Sequence, residues 1–122
     1  MQYIILIGDE GLTLDSVKNI RHYDARCGVD GNRHYVDYGQ DHIFYDFVAD
    51  ISDQYTRKER RKIPFKKPNF IMMVYKSIDR VKDVMKQEDF PRGIYVDDDI
   101  DTIQPIEDFI KSLDDGTSPL IR

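Results

Sequence analysis

The chain has a single cysteine, no tryptophan, and no long apolar run. One thiol, Cys27, rules out an internal disulfide framework and fits a reducing compartment, so the core has to come from packing alone. No stretch approaches the ~20 apolar residues that span a bilayer as a helix. The opening MQYIILIGDE has no basic flank and meets Asp9 and Glu10 at once, so it reads as a first strand rather than a signal peptide. Glutamate is also scarce. Of 23 acidic residues only Glu10, Glu59, Glu88 and Glu107 are Glu. Aspartate is the poorer helix former and favours caps, turns and strand ends, so the acidity is expected at the ends of elements.

What is present is enough for one globular domain over residues 1–122, with 117–122 expected to form a loose tail. The net charge of -5 conceals two opposed blocks. Residues 57–67 read RKERRKIPFKK, seven cations against Glu59, and the rest of the chain carries a correspondingly larger acidic excess.

Along the chain, 3–7 is a compact β-rich run ended by Gly8, and Thr13 is placed to cap a short helix with Leu14, Val17 and Ile20 inward. RHYDAR (21–26) and RHYVDY (33–38) flank Asp30-Gly31, a favoured hairpin turn, and read as antiparallel strands. In 42–51, Ile43, Phe44, Phe47, Val48 and Ile51 form one helical stripe, which predicts a helix, although the aromatic content also suits a strand. The apolar run 70–75, a helix capped by Ser77, and a strand at 94–96 have the spacing of a crossover between parallel strands. Pro105 then opens a last helix with Ile106, Phe109, Ile110 and Leu113 inward. The expected fold is therefore α/β, or α+β: one domain, a mixed sheet with a parallel strand-helix-strand unit, a β-hairpin and flanking helices.

The candidate site is the acidic cluster Asp97, Asp98, Asp99 and Asp101, with Tyr95 beside it, at the expected strand-to-helix junction. Four carboxylates in five residues require compensation by water, a cation, helix amides or a basic partner. Asp9 and Glu10 after the first strand and Lys76 after the 70–75 strand would join Asp97 and Asp99 at the carboxyl ends of a parallel sheet, where ligands gather. That set resembles the magnesium pockets of response-regulator receiver domains and of Toprim enzymes, which implies an alternative Mg²⁺-dependent phosphoryl-transfer or nuclease-like activity through Asp9, Glu10, Asp97 and Asp99. The receiver's phosphoacceptor strand has no counterpart here, and no glycine follows the Asp-x-Asp as in Toprim. Asp97, Asp99, Asp101 and Asp108 fall at calcium-loop positions, but Thr102 stands where that loop requires glycine. His22, His34 and His42 have no metal-ligand spacing, and no phosphate loop or nucleophile elbow is present.

The expected role is therefore non-catalytic and without cofactor. A small acidic cytoplasmic chain with eight tyrosines and clustered Asp suits a surface that captures a basic protein. The profile resembles that of immunity proteins and antitoxins that neutralise a basic partner. The competing binding surface is the basic block, Arg57, Lys58, Arg60, Arg61 and Lys62, which would serve a nucleic acid; the acidic remainder of the chain opposes a polyanion.

Overall fold

The computed structural model describes residues 2–48, 51–100 and 102–121. Seven strands form one sheet: β1 (Gln2–Gly8), β2 (Arg26–Asp30), β3 (Arg33–Asp37), β4 (His42–Val48), β5 (Asn69–Tyr75), β6 (Tyr95–Asp97) and β7 (Ile103–Pro105). Their spatial order is β2-β3-β4-β5-β1-β6-β7, and every neighbouring pair is antiparallel. Among the described residues four short α-helices accompany them: α1 (Asp15–Lys18), α2 (Arg57–Arg60), α3 (Ile78–Met85) and α4 (Ile106–Asp114). None of the described helices is long and apolar enough to cross a membrane.

The fold is thus α+β, and the expected parallel strand-helix-strand unit is absent. Strand, helix and strand all form where the sequence indicates, as β5, α3 and β6, with Ser77 Oγ accepting the Arg80 amide at the start of α3. However, β1 lies between β5 and β6 and pairs antiparallel with each. The length of a crossover sets the relative direction of two strands but not their adjacency. Because β1 is apolar on both faces, it is suited to a central position: Ile4 and Leu6 enter one core, Ile5 and Ile7 the other.

Two further expectations change. The segment expected as a helix over 42–51 is strand β4 through Val48. Ile43 and Tyr45 point into the main core while Phe44 and Val48 face the other side, so a strand apolar on both faces imitates a helical stripe. The hairpin turn sits at Asp30-Gly31 as expected, but its first strand is β2 at Arg26–Asp30 instead of 21–26, because the register is fixed by the closing pair Asp30 and Arg33. Gly31 takes φ +59 there, a conformation that costs glycine little.

Helices α1, α3 and α4 cover one face of the sheet and form the main core with Tyr45, Tyr75, Met73 and Phe109. Thr13 does not cap α1; its amide donates to Ser16 Oγ at 3.1 Å. The second face is covered only in part, by residues 51–67, a strap whose Tyr55, Ile51, Ile63 and Phe65 pack on Ile5, Ile7, Phe70 and Ile103. In the last segment Ser118 is buried and its amide donates to the Ser112 carbonyl, while Leu120 packs against the main core.

Candidate functional site

The acidic cluster lies in a β-hairpin turn and not at a helix start. β7 intervenes between the Asp run and α4, which begins only at Ile106. Asp101 lies outside the described residues. Of the other three, Asp97 and Asp98 are 7% and 2% exposed, and only Asp99 is on the surface. Asp98 Oδ1 accepts the amides of Ile100 (2.9 Å) and Thr102 (3.1 Å), closing the turn from within. Asp97 Oδ1 accepts the Asp99 amide at 2.8 Å. Its other oxygen accepts the Tyr55 hydroxyl, also at 2.8 Å, which ties the turn to the strap. Asp99 has φ +60, a left-handed conformation that Asp tolerates better than most residues. Asp97 and Asp98 are thus each compensated in part by the turn's own amides, through one oxygen apiece.

Burial raises the Asp97 carboxyl above its usual range, an effect opposed by the bonds from the Asp99 amide and Tyr55. Burial, and then the bond to Asp97, likewise push the Tyr55 phenol up. The Tyr3 hydroxyl is raised by its hydrogen bond with Asp99 and by burial.

Between turn, strap and sheet lies a cavity of about 340 Å³. Ile5, Met72, Val48, Ile51 and Ile103 give it apolar walls; Asp97, Asp99, Glu59, Tyr3, Tyr55, Gln54 and Thr102 supply polar groups, and Lys62 also lines it. It can seat an apolar body with a hydrogen-bonding or cationic end. Tyr95 does not line it; that ring is half-buried beneath the strap, edge-on to Phe65 at 6.0 Å. Tyr3, Tyr55, Glu59 and Met72 are among the participants that sequence reasoning missed. Tyr3 was accessible through strand alternation with Ile5, and Glu59 through the Thr56-x-x-Glu59 pattern.

The alternative metal set is not assembled. Register pairs Ile5 with Asp97, so Asp9 lies about 13 Å further along β1, at the opposite end of the sheet from Asp99. Asp9 Oδ1 accepts the Gly11 amide at 2.8 Å, and Glu10 is exposed. The parallel sheet that would have gathered these acids at one edge is the element the fold lacks. Among the described residues no group of three His, Cys, Asp or Glu side chains is arranged to hold a metal ion.

The basic block is the strap itself. Thr56 Oγ1 accepts the Glu59 amide at 3.1 Å and Glu59 returns the bond to the Thr56 amide at 2.9 Å, a reciprocal cap that starts α2. These bonds with Thr56 hold the Glu59 carboxyl below its ordinary range. Arg57, Lys58, Arg60, Arg61, Lys62, Lys66 and Lys67 are all exposed, and among the described residues none has a carboxylate at ion-pair distance. Thr56→Ala is expected to cost about 1 kcal/mol and to speed hydrogen exchange at the Glu59 amide, with strand amides unaffected.

Beside the strap the second sheet face is open. One row across four strands, Tyr35, Phe44, Val74 and Tyr3, is set by direct pairing, and all four side chains are half-exposed. Phe44 is flanked by the His42 ring and the Arg33 guanidinium, each 4.4 Å from its centroid. Arg33 also forms a two-bond ion pair with Asp46.

Comparison with protein-family models, with curated proteins and with solved structures finds no match to this chain.

Proposed function

We propose that the chain is a protein-binding module whose contact surface combines the strap's cations with the open row of the second sheet face, and whose partner presents carboxylates. The observation that carries this reading is the set of exposed cations at 57–67 that, among the described residues, have no carboxylate at ion-pair distance, held on a segment that Tyr55, Ile63 and Phe65 anchor to the sheet. An anchored field of one sign accelerates encounter with the opposite sign. The adjoining Tyr35, Phe44, Val74 and Tyr3 supply the aromatic and apolar centre that protein interfaces favour, with a charged rim beside it. A nucleic acid is the weaker fit: Phe44 is already flanked by His42 and Arg33, so it offers no free stacking face.

A second reading keeps the opposite sign of partner, the immunity or antitoxin type. It is favoured by the convergence of Asp97, Asp99 and Glu59 with two tyrosines on the cavity, which suits a lysine or arginine side chain inserted by a basic protein. Both readings put the protein in the cytoplasm, where the exposed thiol of Cys27 stays reduced.

Titration of the labelled protein with three probes, followed by amide NMR shifts, separates these readings. A Glu-rich peptide bearing aliphatic side chains is expected to saturate, shifting residues 57–67 together with Tyr35 and Phe44. The triple change Arg60→Gln, Arg61→Gln, Lys62→Gln should weaken it at least tenfold, and added salt should do the same by screening. A Lys-rich peptide that instead saturates at Asp99 and Thr102, and is lost in Asp99→Asn, would establish the second reading. Saturation by a single-stranded oligonucleotide alone would transfer the function to nucleic acid.

A further inference from the structure

The sheet has two edges, β2 and β7, and they are protected unequally. β7 has three residues, ends in Pro105, which lacks an amide proton, and runs directly into α4. Short length and proline are the usual means of blunting an edge. β2 has five residues and contains neither proline nor lysine. Arg26, Cys27, Val29 and Asp30 are exposed, and Val29 at 51% is one of the few large apolar side chains in the open. Because Asp30 and Arg33 close a two-residue turn, they form a hydrogen-bonded pair, and by alternation the N–H and C=O groups of Cys27 and Val29 point away from β3.

We propose that two copies of this chain pair edge to edge through β2, antiparallel, about a two-fold axis at Gly28. The charges on the strand choose this register. With Gly28 opposite Gly28 of the second copy, Arg26 faces the second copy's Asp30 and Asp30 faces its Arg26, two opposite-charge pairs generated by one symmetry operation. Cys27 then stands opposite Val29 and exchanges both main-chain hydrogen bonds with it, using the outward groups on each copy. Centring the axis on Cys27 or Val29 breaks both charge pairs. Cys27 and Val29 pair across to Val36 and His34, both buried on the main-core side, so each copy covers the other's exposed valine on that face. Gly28 brings no side chain to the crossing point, and the Tyr35 ring overlies it on one face, where its hydroxyl would clash with an added Cβ.

A five-residue edge buries well under the ~1,200 Å² of a standard stable interface, so the dimer is weak and concentration-dependent. Sedimentation velocity on the full chain from micromolar to millimolar concentration should show monomer passing to dimer. Arg26→Asp and Asp30→Arg, each of which sets like charges opposite one another across the two copies, should weaken the association at least tenfold; within the hairpin they also face Asp37 and Arg33, so the melting curve should shift slightly downward while the fold is kept. The double variant carrying both changes should recover it, because the pairs are re-formed with signs exchanged. A wild-type chain that stays monomeric at millimolar concentration overturns the proposal. So does a dimer indifferent to both single changes, or a double variant that fails to recover.

Discussion

Asp98→Ala is expected to lower the unfolding free energy by about 2–3 kcal/mol, the cost of leaving two backbone amides without their acceptor inside a closed turn. The amides are those of Ile100 and Thr102, both held by Asp98 Oδ1. Asp98→Asn keeps an amide oxygen in the same place and should cost roughly half as much. Asp99→Asn, at the exposed left-handed position of the same turn, should stay within about 0.5 kcal/mol of the parent, since Asn tolerates that backbone well. Urea denaturation of the three variants checks the order. Equal effects for Asp98→Ala and Asp99→Asn would mean that the Asx bonds do not hold the turn. The distinction governs any binding experiment on this region, because among Asp97, Asp98 and Asp99 only substitution at Asp99 changes surface charge without disturbing the fold.

Stability should fall as the pH drops from about 6.5 to about 4, by at most roughly 3 kcal/mol through His22 and by roughly 2 once solvent screening of the half-buried ring is allowed for. Burial, then the nearby His34 and Arg80, depress the His22 imidazole to about 4 from its ordinary 6.5. Between those values the unfolded chain binds more protons than the folded one, so acid favours unfolding. The stabilisation is complete above 6.5, and this group adds no further loss below 4. The ring is held through Nδ1, 2.6 Å from the Tyr38 hydroxyl. His34, stacked on Tyr45, is lowered by burial as well and acts in the same direction. Urea midpoints from pH 4 to 7.5 should therefore slope upward, and His22→Gln should flatten that slope. A slope of equal size in the variant would assign the acid sensitivity to other groups.

Residues read locally go some distance into this protein. The Asp30-Gly31 turn, the Ser77 cap, the start of α4 after Pro105 and the apolar strands β1 and β5 are all legible, because each is set by neighbours a few positions away: a favoured turn dipeptide, a hydroxyl within reach of an amide, an apolar run of strand length. The same patterns describe a domain that builds its core without disulfides. The reading of 42–51 failed at the point where local information is degenerate. Ile43 and Phe44, like Phe47 and Val48, are adjacent apolar pairs, which a helix stripe and a strand buried on both faces produce alike.

Adjacency belonged to the tertiary structure. Nothing within 70–96 says that β1, some sixty residues earlier, will enter between β5 and β6, and that insertion makes the whole sheet antiparallel and sends Asp9 and Asp99 to opposite ends. The acidic run is the same case at side-chain scale. Composition shows that Asp97, Asp98 and Asp99 need compensation; only the folded turn, with its amides aimed inward and Tyr55 brought over by the strap, decides that two of the three are buried and one is left to solvent. The cations of residues 57–67 are visible in the sequence, but whether carboxylates meet them depends on which surfaces the sheet brings near, and in the Asp turn one oxygen each of Asp97 and Asp98 is already directed at the turn's own backbone.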